Sequence, residues 1–280
     1  MRLELFRTLW GYRDPWQQAI DELLAAGFDG LEARIPETAA QRSANARVLR
    51  ENNVPYNATL FTSTPVLPQQ SDSPQMHLQD LAIKLDWAAE LSPRKVNILA
   101  GNDRWSLSEQ VDFFGAACDI VAKSGLHGCF EIHRGRSLYS PWVTLDIIRQ
   151  VPQLRLTSDI SHWVVTCERL LNDPTDDLSA FVERVDHIQS RVGYDQGPQV
   201  PHPGAPEYAD VLAFHQQHWE AIWASQERRG MEVTSMTPEF GPDGYLHHLP
   251  FTDVPVADLW QLNQWMARCE RQHFHRYNSR

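Results

Sequence analysis

Eight times along 280 residues, a short apolar run is followed by a stretch whose apolar residues recur at helical spacing, and no composition break interrupts the alternation. The runs fall at 3–9, 30–34, 56–61, 95–101, 127–133, 154–160, 185–193 and 232–240. Parallel strands need a crossover connection between them, usually a helix. Eight such units in a chain of this length describe one closed (β/α)8 barrel better than two small domains. We therefore expect a single α/β domain, a (β/α)8 TIM barrel, over residues 1–280. Local signals agree with the register. Asp14-Pro15 opens the helix WQQAIDELLAA, which stops at Gly27, as the preference for Pro at a helix start and Gly just past its end requires.

In such a barrel, catalytic groups stand at the C-terminal ends of the strands. Glu131 in CFEIHRG, Asp159 in LTSDISHW and His187 in DHIQSRVG are each 28 residues apart, and Glu239 in TPEFGP follows after 52. One strand and its crossover helix occupy roughly 30 residues, so the spacing predicts matching places on successive units. Two glutamates, an aspartate and an imidazole converging there suit Mn²⁺, Mg²⁺, Co²⁺ or Zn²⁺, with Mn²⁺ ranked first. The absence of thiolates disfavours a purely structural zinc site. Any one of these residues alone reads as a surface charge, helix cap or core histidine; the matched spacing carries the inference.

Period-two geometry sets His133 on the strand face of Glu131, and Gln189 and Arg191 on that of His187. His162, just past the sixth strand, is placed to bind a substrate oxygen, to ligate a second metal or to orient Asp159. Arg191 suits a ketone oxygen, an enediolate or a carboxylate, against the plainer reading of a rim salt bridge. Glu32 and Arg34 share a face of the second strand and read as a rim ion pair. Trp10, Trp105 and Trp163 lie near strand ends, as walls for a sugar or as core. His247, His248, His273 and His275 lack suitably spaced carboxylates and read as rim or solvated residues. The segment 62–74, rich in Pro, Ser and Thr, reads as a mobile loop.

A net charge of −11 opposes long-range attraction to nucleic acid or an acidic membrane surface. There is no transmembrane-length apolar run, and the first residues lack the apolar core of a secretory signal, so a cytoplasmic location is expected. The four cysteines form no CxxC pair and read as buried thiols. No GxGxxG, Walker-type or GxSxG motif occurs.

The stretches FEIHRG, LTSDISHW, VDHIQSRVGY and PEFGP resemble the xylose isomerase-like TIM-barrel superfamily, in its sugar phosphate isomerase/epimerase branch. The resemblance implies a divalent metal on Glu131, Asp159, His187 and Glu239. It also implies proton exchange by the catalytic pair Glu131 and Glu239, and substrate binding by His162 and Arg191, with His133 beside them. The substrate is then a small polyhydroxy carbonyl compound, turned over by proton transfer next to the carbonyl through a metal-stabilised enediolate. Isomerisation, epimerisation and dehydration remain alternatives on one site. Members are often dimers or tetramers. The chain departs from the pattern in having Arg191 only four residues after His187, followed by a long Pro-rich loop. No Lys/Arg cluster suited to a phosphate is visible in the sequence, so an unphosphorylated ketone or a cyclic polyol is equally compatible.

Three rivals use the same fold. A metal-independent glycoside hydrolase would use Glu131 and Glu239 as its carboxylate pair but would leave Asp159 and His187 without a role. An endonuclease IV-like phosphodiesterase would need additional histidines early in the barrel, and 56–61 and 95–101 contain none. A non-catalytic barrel that binds sugar is the third.

Overall fold

A computed structural model describes residues 1–63 and 66–280. Eight parallel strands close a barrel in chain order: β1 (Arg2–Thr8), β2 (Gly30–Arg34), β3 (Tyr56–Phe61), β4 (Lys95–Leu99), β5 (Gly128–Glu131), β6 (Leu156–Ser158), β7 (Val185–Gln189) and β8 (Val233–Thr237). The ring closes through β1 on β8, with Leu5 opposite Met236. Helices α1 (Trp16–Ala26), α2 (Ala39–Glu51), α3 (Pro74–Ala89), α4 (Leu107–Ser124), α5 (Pro141–Gln150), α6 (Ile160–Cys167), α7 (Ser179–Val182), α8 (Ala209–Arg228) and α9 (Leu259–Asn278) lie on the connections. The expected single (β/α)8 barrel is the fold observed.

Local chemistry sets the ends of these helices. Ser106 accepts from the Glu109 amide while the Glu109 carboxylate accepts from the Ser106 amide, a capping box that opens α4. Thr38 and Ser73 cap α2 and α3. The core lies in two shells, inside the barrel and between strands and helices, and Trp163, Trp219 and Trp223 are fully buried in it. Helix α9 fastens the chain end to its beginning: Trp260 stacks on Phe28 at 5.7 Å, and Arg271 donates to the Gly27 carbonyl.

Three differences from the sequence reading bear on the site. The sixth strand ends at Ser158, so Asp159 caps α6, a helix the pattern did not reveal. The seventh strand stops at Gln189, which places Arg191 in the following loop. Between β8 and α9 lies a two-stranded ribbon, β9 (His248–Leu249) with β10 (Val254–Pro255), on which the sequence reading was silent. Within the segment expected to be mobile, residues 64 and 65 lie outside the described residues. Val66 is held by Arg136, whose Nε and Nη2 donate to its carbonyl at 3.1 and 2.6 Å. Among the described residues no helix is long and apolar enough to cross a membrane. All four cysteines are free thiols.

Candidate active site

A cavity of about 770 Å³ opens among the loops at the C-terminal ends of the strands. Trp10, Tyr12, Phe61 and Tyr245 form its walls, and Glu131, Glu239 and Arg191 are among its lining residues. Gly241 makes room for one wall: a Cβ there would lie 2.0 Å from the Trp10 ring. Of the three tryptophans expected near strand ends, Trp10 lines the cavity. Trp163 packs on Phe181, and Trp105 on His77 and Phe113.

Glu131, Asp159 and Glu239 each bring one carboxylate oxygen within 4.8 Å of the others. Their supports differ. Glu131, the last residue of β5, accepts from Asn97 Nδ2. Asp159 accepts from the Ser161 amide at 3.2 Å and from Arg191 Nη2. Glu239 lies 3.6 Å from Arg191 Nη1. Asp159 and Glu239 therefore share one buried guanidinium while Glu131 stands beside them without one, an excess of two negative charges when all three are ionised.

That excess sets the protonation of the site. Burial and then the charges of Glu239 and Asp159 push Glu131 well above the usual carboxylate range. Glu239 is pushed up to about 8 by burial and by Asp159 and Glu32, against the pull of Arg191. Burial raises Asp159 as well, although Arg191 and Ser161 oppose it.

Two imidazoles adjoin the carboxylates. His133, His162 and Glu131 form a second group of potential ligands, the two rings lying 3.9 Å apart. Arg191 Nη2 donates to His162 Nε2 at 2.8 Å, which fixes the proton on Nδ1, a buried atom without a partner. Burial and the neighbouring cations hold His133 at about 3 and His162 well below its ordinary value, so both rings are neutral.

His187 stands apart. Its Nε2 lies 3.0 Å from Glu32 Oε2, and its Nδ1 2.8 Å from Ser235 Oγ. Contacts rather than register account for the separation, since Glu131 is opposite Thr157 just as His187 is. His187 is opposite Thr157, so Asp159 stands two residues further toward the mouth, and Gln189 is opposite Thr237, two residues short of Glu239. Equal spacing in sequence thus does not give equal height in the barrel: Glu131 and His187 stand level with Thr157, and Asp159 and Glu239 stand further toward the mouth. Glu32 does not form the expected ion pair with Arg34; it is buried and bound by His187, Gln189 and Thr237. Arg34 instead stacks over Phe61 at 4.7 Å and lines the cavity.

Asn97, Arg134 and Tyr245 were not singled out in the sequence. A polar residue inside the apolar strand KVNIL was a usable signal for Asn97. Arg134 and Tyr245 sit in loops and carried none.

A divalent cation would fit these residues. The donors are oxygen-rich, the excess charge is two, and buried carboxylates that repel one another gain from a cation between them. The neutral His162 adds an imidazole at the edge of the set, its Nε2 3.4 Å from Asp159 Oδ2.

A family model described as xylose isomerase-like TIM barrel matches residues 20–196. Among curated proteins, none matches the chain significantly. Among solved structures, D-allulose 3-epimerase from Methylomonas sp. in complex with D-allulose is similar at 16% identity, covering 97% of each chain with a TM-score of 0.61. The IolI protein with a bound zinc atom is similar at 11% identity, covering 98% of this chain and 99% of its own, with a TM-score of 0.63. Endonuclease IV from Thermus thermophilus is similar at 13% identity, covering 99% and 100%, with a TM-score of 0.60. At these identities the likeness is one of fold.

Proposed function

This chain belongs to the xylose isomerase-like TIM-barrel family, and we propose that it is a divalent-metal-dependent isomerase or epimerase of a small polyhydroxy carbonyl compound. The observation that carries this reading is the meeting of Glu131, Asp159 and Glu239 around Arg191 beside a cavity large enough for a sugar. We place the metal on those three carboxylates, with His162 as the adjacent imidazole and His187 as support for Glu32. Mn²⁺ is the first candidate, and the zinc of the IolI relative makes Zn²⁺ the second.

A bound divalent ion would polarise the substrate carbonyl and so make the neighbouring C–H acidic enough for a carboxylate to remove its proton. Glu131 ends β5, Glu239 lies two residues past β8, and these are the two groups that hold and move that proton. Without a cation both are raised above the usual carboxylate range by burial and by neighbouring carboxylates, Glu239 to about 8. Return to the same carbon from the other glutamate gives epimerisation; return to the adjacent carbon gives isomerisation. Arg191 has Nη2 on Asp159 and His162 and Nε on Ser161, which leaves Nη1 for oxygen that gains negative charge. The neutral His133 and His162 are suited to hydrogen-bond substrate hydroxyls. The allulose bound to the Methylomonas epimerase is a compound of this class.

The test is deuterium wash-in from heavy water on a panel of ketoses, with and without Mn²⁺. Metal-dependent exchange lost in Glu239→Gln supports the reading. Undiminished exchange in both Glu131→Gln and Glu239→Gln, or chelator-insensitive hydrolysis of an aryl glycoside, overturns it.

A further inference from the structure

Three guanidinium groups line the cavity without a use in the mechanism above: those of Arg134 and Arg34, and that of the exposed Arg13. Arg134 follows β5 and lies half-buried over the ring of Tyr245 at 4.8 Å, and Arg191 lies over the same ring at 4.5 Å. Tyr245 thus gathers two cations near the carboxylates. Arg191 has Asp159 and Glu239 as counter-charges, whereas Arg134 has no carboxylate within ion-pair distance among the described residues. Its Nη1 is buried without a hydrogen-bond partner. A buried donor left without a partner is costly, more so for a charged group, so a ligand that completes it recovers that cost.

Arg34 reaches the same cavity from the end of β2. It is exposed toward the opening, stacked on Phe61, and also lacks an ion-pair partner among the described residues. Its charge is felt at Glu239, as that of Arg134 is felt at His162 and His133. Both cations therefore flank the group of catalytic residues. Two other acids line the cavity without answering them: Asp243 accepts from Trp10 Nε1 at 2.8 Å, and Asp14 pairs with neither arginine.

We propose that the substrate of this site carries a carboxylate, received by the guanidinium of Arg134 with Arg34 as the second cation at the entrance. The inference rests on the reading of the site as a carbonyl-compound isomerase or epimerase, and it narrows the substrate to a polyhydroxy keto acid. A neutral hydroxyl would satisfy the Nη1 hydrogen bond but leave the charge unanswered. The planar guanidinium fork matches a carboxylate through two parallel hydrogen bonds. A phosphate dianion would bring a second negative charge into a cavity whose wall already includes Asp14, Glu32, Glu131, Glu239 and Asp243.

Calorimetric titration of the full chain in Mn²⁺-containing buffer with D-fructose, D-fructuronate and D-fructose 6-phosphate tests this, because the three differ only at the terminal carbon. The keto acid should bind about tenfold or more tightly than the neutral ketose, with an advantage that shrinks as salt rises. Arg134→Met should remove that advantage while leaving D-fructose binding within about twofold, Arg134→Lys should restore part of it, and Arg34→Met should weaken it less. Equal affinity for the keto acid and the ketose, tighter binding of the phosphate, or an unchanged preference in Arg134→Met would each overturn the proposal. Binding is read without turnover, so the absence of deuterium exchange would remove the functional reading and leave this result standing on its own.

Discussion

The two ends of the barrel treat carboxylates in opposite ways. At the N-terminal end, Asp186 accepts from Arg155 Nε at 2.9 Å, from Arg229 Nη1 at 2.6 Å and pairs with His127 at 2.9 Å. Burial alone would raise its pKa, but these partners outweigh burial and hold it far below the usual carboxylate range. At the C-terminal end, three carboxylates meet with Arg191 paired to only two of them, Asp159 and Glu239, and all three are raised. The residue types are alike and the balance of charge is reversed. One end is neutralised and contributes stability; the other is left with charge to spare, which a cation and a reacting substrate can use. This matches the general division of such barrels into a catalytic face and a stabilising face.

The largest expected effect is on chemistry at the upper end. Glu239→Gln or Glu131→Gln should lower deuterium exchange by about 10³-fold, within the range for loss of a general acid or base. The metal-free protein should nevertheless melt at the same or a higher temperature, since a repelling charge has gone.

Asp186→Asn should do the reverse. It should cost about 2 kcal/mol in denaturant unfolding, less than the 3–5 kcal/mol of a fully buried pair because Arg155 and Arg229 are partly exposed. Exchange activity should be retained. Equal stability of the Asp186→Asn and Glu239→Gln proteins would remove the contrast.

Acidity sharpens it. Asp186 has a depressed pKa in the folded state, so its contribution is full above the unfolded value near 4 and fades as pH falls below that. The gap in melting temperature between wild type and Asp186→Asn should therefore hold from about pH 5 to 8 and narrow below about pH 4. Glu239 is the opposite case. Its folded pKa is raised to about 8, so the metal-free fold is disfavoured increasingly as pH rises from the unfolded value of about 4.3. Glu239→Gln should gain on metal-free wild type across that window and level off above it.

The smallest effect concerns His187. His187→Gln should leave Mn²⁺ affinity unchanged within error, because that ring is engaged with Glu32 and Ser235. A large loss would return it to the ligand set.

The barrel was legible because alternation is a coarse signal that survives errors of a few residues at each boundary. Glu131, Asp159 and Glu239 were legible because each stands at or just past a strand end, where register errors change height but not the end of the barrel. His187 shows the limit of that logic. It has the same sequence spacing as its partners and stands level with Glu131, but its ring is engaged with Glu32 and Ser235, contacts that spacing does not encode. Asp159 as the cap of α6 escaped notice because three residues of β6 are too few for a clear pattern. Arg134 and Tyr245 meet across 111 positions of sequence, and no local periodicity encodes a contact between two loops.

Calorimetric titration of metal-free protein with Mn²⁺ tests most directly the claim that the surplus charge around Arg191 is a cation site. The account predicts one site per chain, with Asp159→Asn and Glu239→Gln each weakening it by about tenfold or more. No uptake by the wild-type chain, or equal uptake by Asp159→Asn, would contradict it.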